Sequence, residues 1–295
     1  MDITSLAVIR SLCQKYGFRP QKERGQNFLI SREVLDKIIS AADLKKDDTV
    51  LEIGPGFGAL TLELAKRAKK VAAVEADKRL ANALRELLKG YKNVEIINED
   101  VLKITGYALR VTRYGYKIVA NLPYQITSAV LRKFLENEPR PSEMIVMVQK
   151  EVAERICAKP RFRRAGLGGQ ANGMSLLSVS VQFFGRPEIV EAVPKTAFWP
   201  EPKVDSAILK ISNIKHETET NIRRVETKKF FQIVKTGFSA RRKQLHNNLS
   251  GGLRLPDGEV QKILIESNFD PKARAQDLGV DDWIRLVQAI NCPIA

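Results

Sequence analysis

From Asp48 to about Ile211 the chain alternates short runs of β-prone residues with stretches whose apolar residues recur at helical spacing, an order that few folds accommodate. TVLEI (49–53), VAAVE (71–75), VEIIN (94–98), KIVAN (117–121) and EMIVMVQ (143–149) read as strands. Ala59–Ala68, Lys78–Lys89 and Ile126–Leu135 read as helices between them, the last with Ile126, Val130, Leu131 and Phe134 on one face. Repetition of this kind builds a doubly wound α/β sheet. Two more strand candidates, SLLSVSVQFF (175–184) and VDSAILKI (204–211), are joined by a Pro-rich segment, which predicts an antiparallel pair at the sheet edge.

Hydrophobic periodicity is lost over 212–225, which read as a linker. Beyond it FFQIVKTGF, ARRKQLHNNL, GEVQKILIES and DDWIRLVQAI are all helix-like, joined by breaks containing Gly or Pro. The expected organisation is therefore a domain over 1–211, the linker, and a small all-helical domain over 226–295. The Gly- and Arg-rich stretch 161–173 reads as a mobile loop.

Charge narrows the choice of partner. Lys and Arg total 49 against 34 acidic residues, a net +15. The excess is spread along the chain rather than held in one tail, as suits a protein that lays several surfaces along a phosphate backbone. The N-terminal run breaks its apolar stretch with Arg10 and Gln14, so neither a signal peptide nor a membrane span is expected, and the cytoplasm is the default. Cys13, Cys157 and Cys292 lack the spacing of a disulfide scaffold or a zinc site. Two histidines, His216 and His246, in polar surroundings argue against a His-based triad or metal cluster, and no metal is expected.

The residues at the strand ends carry the chemistry. Gly54-Pro55-Gly56-Phe57-Gly58 joins the first strand to a helix, where glycine permits a tight turn and close approach of a ligand. With Ala59 in the last position the turn also satisfies the relaxed dinucleotide pattern. Glu75 ends the next strand, 21 residues after Gly54, a spacing that carries an acid to ribose hydroxyls. Asp100 ends the third strand, where it can accept from an adenine amine. A dinucleotide and S-adenosylmethionine both meet these requirements. The fourth strand separates them, since it ends in Asn121-Leu122-Pro123-Tyr124. This resembles the signature of amino-methyltransferases, in the form typical of adenine-N6 rRNA enzymes. An exocyclic amine conjugated with a purine is a poor nucleophile. If the Asn121 side-chain oxygen and the Leu122 carbonyl accept its two N–H groups, the nitrogen pyramidalises and its lone pair is freed. Pro123 holds the strand end in a defined direction, and Tyr124 offers a face on which an extruded base stacks.

Further motifs extend the resemblance along nearly the whole chain. Gly25-Gln26-Asn27-Phe28-Leu29, Gln149–Arg155, Phe198-Trp199-Pro200-Glu201-Pro202-Lys203-Val204-Asp205-Ser206-Ala207 and Phe238–Leu249 are similar to segments of the KsgA family of small-subunit rRNA adenine dimethyltransferases. The resemblance implies a Rossmann-like class I S-adenosylmethionine-dependent methyltransferase sheet with a small C-terminal all-α domain. It implies cofactor binding by Asn27, Leu29, Gly54, Gly56, Glu75, Asp100 and Asn121. Base binding and catalysis fall to Asn121, Leu122, Pro123 and Tyr124, with Phe198 as a second wall around the target base. The implied reaction is dimethylation at N6 of two adjacent adenines in a 3′-end loop of 16S rRNA, by a monomer acting on an immature 30S-type particle. RNA contact is expected from Arg161, Arg163, Arg164, Arg241, Arg242 and Lys243, the first three in a loop longer than the family's usual turn. Three other readings share the fold: an Erm-type dimethylase of large-subunit rRNA, a non-catalytic RNA-binding factor, and a nicotinamide-dependent oxidoreductase.

Overall fold

A computed structural model describes residues 2–21, 25–104, 115–160, 173–216 and 227–290. Arg161, Arg163 and Arg164, and most of the expected linker, lie outside the described residues. The chain divides into two compact units, residues 1–153 with 186–214, and residues 154–185 with 215–295.

The first unit is built on a seven-stranded sheet. Its strands are β2 (Thr49–Ile53), β3 (Lys70–Val74), β4 (Val94–Ile97), β5 (Lys117–Asn121), β6 (Glu143–Gln149), β7 (Arg186–Val193) and β9 (Ser206–Ser212), in the order β4-β3-β2-β5-β6-β9-β7. The first five are mutually parallel, and β9 runs antiparallel to both β6 and β7. Val50, Val71, Ile118, Val119, Ile145 and Val146 are fully buried, as the middle strands of a sheet covered on both faces must be. Helices α2 (Arg32–Ala42), α3 (Ala59–Ala65), α4 (Lys78–Leu87) and α5 (Thr127–Glu136) supply apolar faces. Ser31 and Asp77 cap α2 and α4 by accepting backbone N–H bonds from Val34 and Arg79. Ahead of the sheet lie α1 (Leu6–Lys15) and the two-residue strand β1 (Phe28–Leu29), which pairs antiparallel with β8 (Phe198–Trp199).

The expected antiparallel edge exists, with one of its strands differently composed. Helix α6 (Lys150–Ile156) follows β6, and residues 176–184 form helix α7, opened by a capping box in which Ser175 and Ser178 satisfy each other's backbone N–H groups. Val179, Val181, Phe183 and Phe184 are all buried, so an apolar run enclosed nearly all round reads like a strand when only alternation is considered. The edge strand is instead β7, RPEIVEAV, whose proline and two glutamates disguise it. Proline is tolerated there because β7 is the outermost strand.

The grouping also differs from the expected division at 211, because residues 154–185 pack with the helical unit. The Gln182 amide donates to the carbonyls of Ile156 and Ala158, and the Met174 N–H donates to the Gln276 carbonyl. Phe183 stacks on Phe230 with ring centroids 4.2 Å apart, and Phe184 stacks on Phe231 at 5.7 Å. In the same unit lie the helices α8 (Thr227–Gly237), α9 (Leu245–Leu253), α10 (Asp257–Glu266) and α11 (Val280–Ala289), and Trp283 on α11 is fully buried against Gly237 and Phe238. The stretch ARRKQ, expected as helix, is a turn that ends where α9 begins at Leu245. Arg241, Arg242 and Lys243 are exposed on it. Among the described residues no helix is long and apolar enough to cross a membrane.

Candidate active site

Strand order places the site. The chain runs outward from β2 through β3 to β4, then returns to the other side of β2 for β5, so sheet order reverses between β2 and β5. At such a reversal the loops leave the carboxyl ends of adjacent strands in opposite directions and a crevice opens. The glycine turn follows β2 and Asn121-Leu122-Pro123-Tyr124 ends β5, so both motifs meet there. A Cβ at Gly54 would lie 3.5 Å from Pro123 Cδ and 3.9 Å from the Asn121 carbonyl oxygen. Gly54, Gly56 and Gly58 all have left-handed φ, at +68°, +60° and +89°.

A cavity of about 330 Å³ occupies this crevice, entirely within the first unit. Asn27, Leu29, Gly54, Gly56, Glu75, Asp100 and Asn121 all line it. Three successive strand ends thus deliver the glycine turn, Glu75 and Asp100 to one wall. The segment around β1 closes another wall: the Phe28 ring stacks on Phe57 at 5.1 Å and lies so near the turn that a Cβ at Gly56 would be 3.0 Å from it. Asn121 is tied to the same segment, its Nδ2 donating to the Asn27 carbonyl at 3.1 Å. The side-chain oxygen of Asn121 is therefore turned away from Asn27 and remains an acceptor.

Electrostatics distinguish between ligands. Glu75, 7% exposed, accepts from the Gly56 N–H at 3.3 Å and the Asp77 N–H at 2.9 Å. A dinucleotide pyrophosphate needs such amides for itself, and here a carboxylate holds one of them. Burial raises the Glu75 pKa against the opposing effect of these bonds. Glu52, which the sequence reading did not single out, also lines the cavity. It is 1% exposed, its Oε2 has no hydrogen-bond partner, and burial, reinforced by Glu75, pushes its pKa up to about 8. Two buried acids beside apolar walls suit a cation joined to an apolar ring system, which favours their ionised forms, better than a polyphosphate, whose charge opposes that ionisation. The signal for Glu52 was available: an acid inside TVLEI has no place in a fully buried strand unless something pairs with it.

Lys133 is the second residue not anticipated. Its Nζ donates to the carbonyls of Leu102 and Ile104 at 2.8 and 2.7 Å, clamping the turn in which Asp100 accepts from the Leu102 N–H. Desolvation lowers the Lys133 pKa.

The residues expected to hold the base are brought together less completely. Leu122 is buried and donates its N–H to the Met147 carbonyl, while Pro123 lines the cavity and Tyr124 is half-buried. Phe198 departs from expectation. In β8 it is 3% exposed, paired with Leu29 and clustered with Val193, Ala197 and Ile208, so it presents no open face opposite Tyr124. A loop phenylalanine ahead of two prolines looks free to stack, but the strand it forms with β1 turns the ring into core.

Sheet order, the glycine turn at the reversal and an acidic, apolar-walled crevice define a class I S-adenosylmethionine-dependent methyltransferase. Residues 17–291 match the family model described as ribosomal RNA adenine dimethylase. The chain belongs to that family. It is 45% identical over 281 residues to ribosomal RNA small subunit methyltransferase A of Dehalococcoides mccartyi (strain CBDB1), covering 95% of this chain and 92% of that one. It is 40% identical over 300 residues to the protein of the same name from Bacillus pumilus, covering 98% of each. Among solved structures it is similar to the 23S rRNA methyltransferase ErmE, at 31% identity and a TM-score of 0.66 over 89% of this chain and 99% of that one. A dimethyladenosine transferase from Plasmodium falciparum is 27% identical with a TM-score of 0.70, covering 88% and 95%.

Proposed function

We propose that the chain transfers methyl groups from S-adenosylmethionine to N6 of two adjacent adenines in a 3′-end loop of 16S rRNA. It does so as a cytoplasmic monomer acting on an immature 30S-type particle. The observation that carries this reading is the arrangement of Asn121 at the cavity, with its NH2 committed to the Asn27 carbonyl and its oxygen free to accept. The fit of the cofactor rests on Glu52: a buried carboxyl with one oxygen lacking a hydrogen-bond partner is matched by an ammonium group. Glu75 suits the ribose hydroxyls, Asp100 the adenine amine, and Asn27 and Leu29 cover the site. When bound, the cofactor supplies an electrophilic methyl group on a positively charged sulfur.

The protein's own task is to present the nucleophile. The Asn121 side-chain oxygen and the Leu122 carbonyl accept from the adenine amine, drawing its lone pair out of conjugation and toward the cavity. Pro123 fixes that carbonyl, and Tyr124 supplies the face for the extruded base. Positioning replaces general acid–base chemistry. Arg241, Arg242 and Lys243 on their exposed turn suit phosphate contact.

Relatives named for the small subunit at 45% and 40% identity favour that substrate over large-subunit RNA, the substrate in the name of ErmE at 31%. Incubating the protein and cofactor with unmethylated small subunits, then mapping adenine masses, tests the reading. Two neighbouring adenines are expected to gain two methyl groups each, and Asn121→Ala to slow that gain about a hundredfold or more. Methylation confined to large-subunit RNA, or undiminished in Asn121→Ala, would overturn it.

A further inference from the structure

Tyr124 and Ser206 are 82 residues apart in sequence, yet the phenol oxygen lies 2.7 Å from the Ser206 hydroxyl. The topology explains the meeting. Tyr124 follows the carboxyl end of β5, and β9 runs antiparallel on the far side of β6, so its first residue, Ser206, stands opposite Gln149 at the same sheet edge. The bond therefore reaches across the end of β6. Ser206 is fully buried, whereas Tyr124 is half-buried and directly follows Pro123, which lines the cavity. Burial raises the Tyr124 pKa, so the phenol keeps its proton at neutral pH.

The far side of the bond is anchored at both ends. The segment from Phe198 to Ser206 is held at one end by the β1–β8 pair. At the other, Asp205 accepts the Lys195 N–H through its carboxylate at 3.0 Å and the Lys150 N–H through its carbonyl at 3.0 Å. Lys195 also pairs with Glu201 at 2.9 Å. A ring attached only through its own χ1 and χ2 can swing, whereas one bonded at its para oxygen to a braced strand holds its plane.

We propose that Ser206 is a positioning residue for methyl transfer, its hydroxyl holding the Tyr124 ring in the plane on which the target adenine stacks. The inference rests on the reading of Tyr124 as the stacking face. It also gives the ring a reason to be fixed: the amine must meet the methyl donor in line twice, and the second time it carries a methyl group and only one N–H.

The test compares wild type with Ser206→Ala, Tyr124→Phe, the double variant and Tyr124→Ala. Three readouts are used: cofactor affinity by calorimetry, single-turnover methyl transfer to unmethylated small subunits, and fluorescence of 2-aminopurine placed at a target position. Ser206→Ala and Tyr124→Phe are each expected to slow transfer about tenfold at unchanged cofactor affinity, with weaker quenching of the probe. The double variant is expected to be no slower than either, since both remove one bond. Wild-type rates in both single variants, losses that multiply in the double, or a change confined to thermal stability would overturn the inference. If Ser206→Ala does not fold, Tyr124→Phe alone decides: a wild-type rate overturns it. Tyr124→Ala separates the two readings. A large loss there beside inert single variants removes only the role of Ser206, whereas full activity in Tyr124→Ala removes the stacking platform and the inference with it.

Discussion

Replacing Glu52 with Gln isolates the most unusual group in the cavity. Burial pushes the Glu52 carboxyl from 4.5 up to about 8, so in the ligand-free protein it carries its proton at pH 7. In the unfolded chain it ionises above 4.5. Between those values the fold binds one proton more than the unfolded chain, so this group's contribution to stability is fully present below pH 4.5 and is lost as pH rises toward 8. At about 1.4 kcal/mol per pH unit, the whole window amounts to at most about 5 kcal/mol. Glutamine has nearly the same shape and does not titrate. Urea unfolding from pH 5 to 8 is expected to show stability falling with pH more steeply in the wild type than in Glu52→Gln. Cofactor binding gives the complementary signal. An ammonium placed beside Glu52 favours the ionised form, so the wild type releases close to one proton on binding at pH 7, and its affinity rises with pH up to about 8. Calorimetry in two buffers of different ionisation enthalpy counts that proton. Glu75 shifts in the same direction, and the Glu52→Gln comparison subtracts it. Equal proton release by the two proteins, or an identical pH dependence of stability, would refute the assignment.

Other substitutions separate binding, chemistry and scaffold. Asn121→Ala is expected to cut methyl transfer by about a hundredfold or more while cofactor affinity changes only a few-fold, because its lost acceptor acts on the amine, as tritiated methyl transfer and calorimetry would show. Gly56→Ala puts a Cβ at φ +60° and 3.0 Å from the Phe28 ring; a loss of about 1–2 kcal/mol from the backbone alone is expected, with weaker cofactor binding, in thermal melts with and without ligand. Gly237→Ala drives a Cβ into the Trp283 ring in the helical unit; overpacking of about 1–3 kcal/mol is expected to lower stability while cofactor affinity stays at the wild-type value.

Much of this protein is legible in one dimension because its information is local. Strands β2, β3, β5 and β6 are buried on both faces and read as largely apolar runs, and the turns that follow β2 and β5 use glycine or proline for backbone reasons that hold in any context. Placing Gly54, Glu75, Asp100 and Asn121 at the ends of such strands was enough to bring them to one crevice. Where hydrophobicity alone was the guide, the reading failed: α7 is apolar nearly all round and passed for a strand, while β7, polar and beginning Arg-Pro, passed for a loop.

Tertiary structure decided what depends on enclosure. Glu52 and Phe198 owe their states to neighbours distant in sequence. The carboxyl is forced toward neutrality because the sheet and its flanking helix exclude water from it. The aromatic ring is in the core because β8 pairs with β1. The bond between Tyr124 and Ser206 belongs to the same class, since it exists only because β9 returns antiparallel beside β6. Backbone preference and apolar pattern are properties of a few consecutive residues and can be read from them. Desolvation and cross-strand contact arise only once the chain has closed on itself.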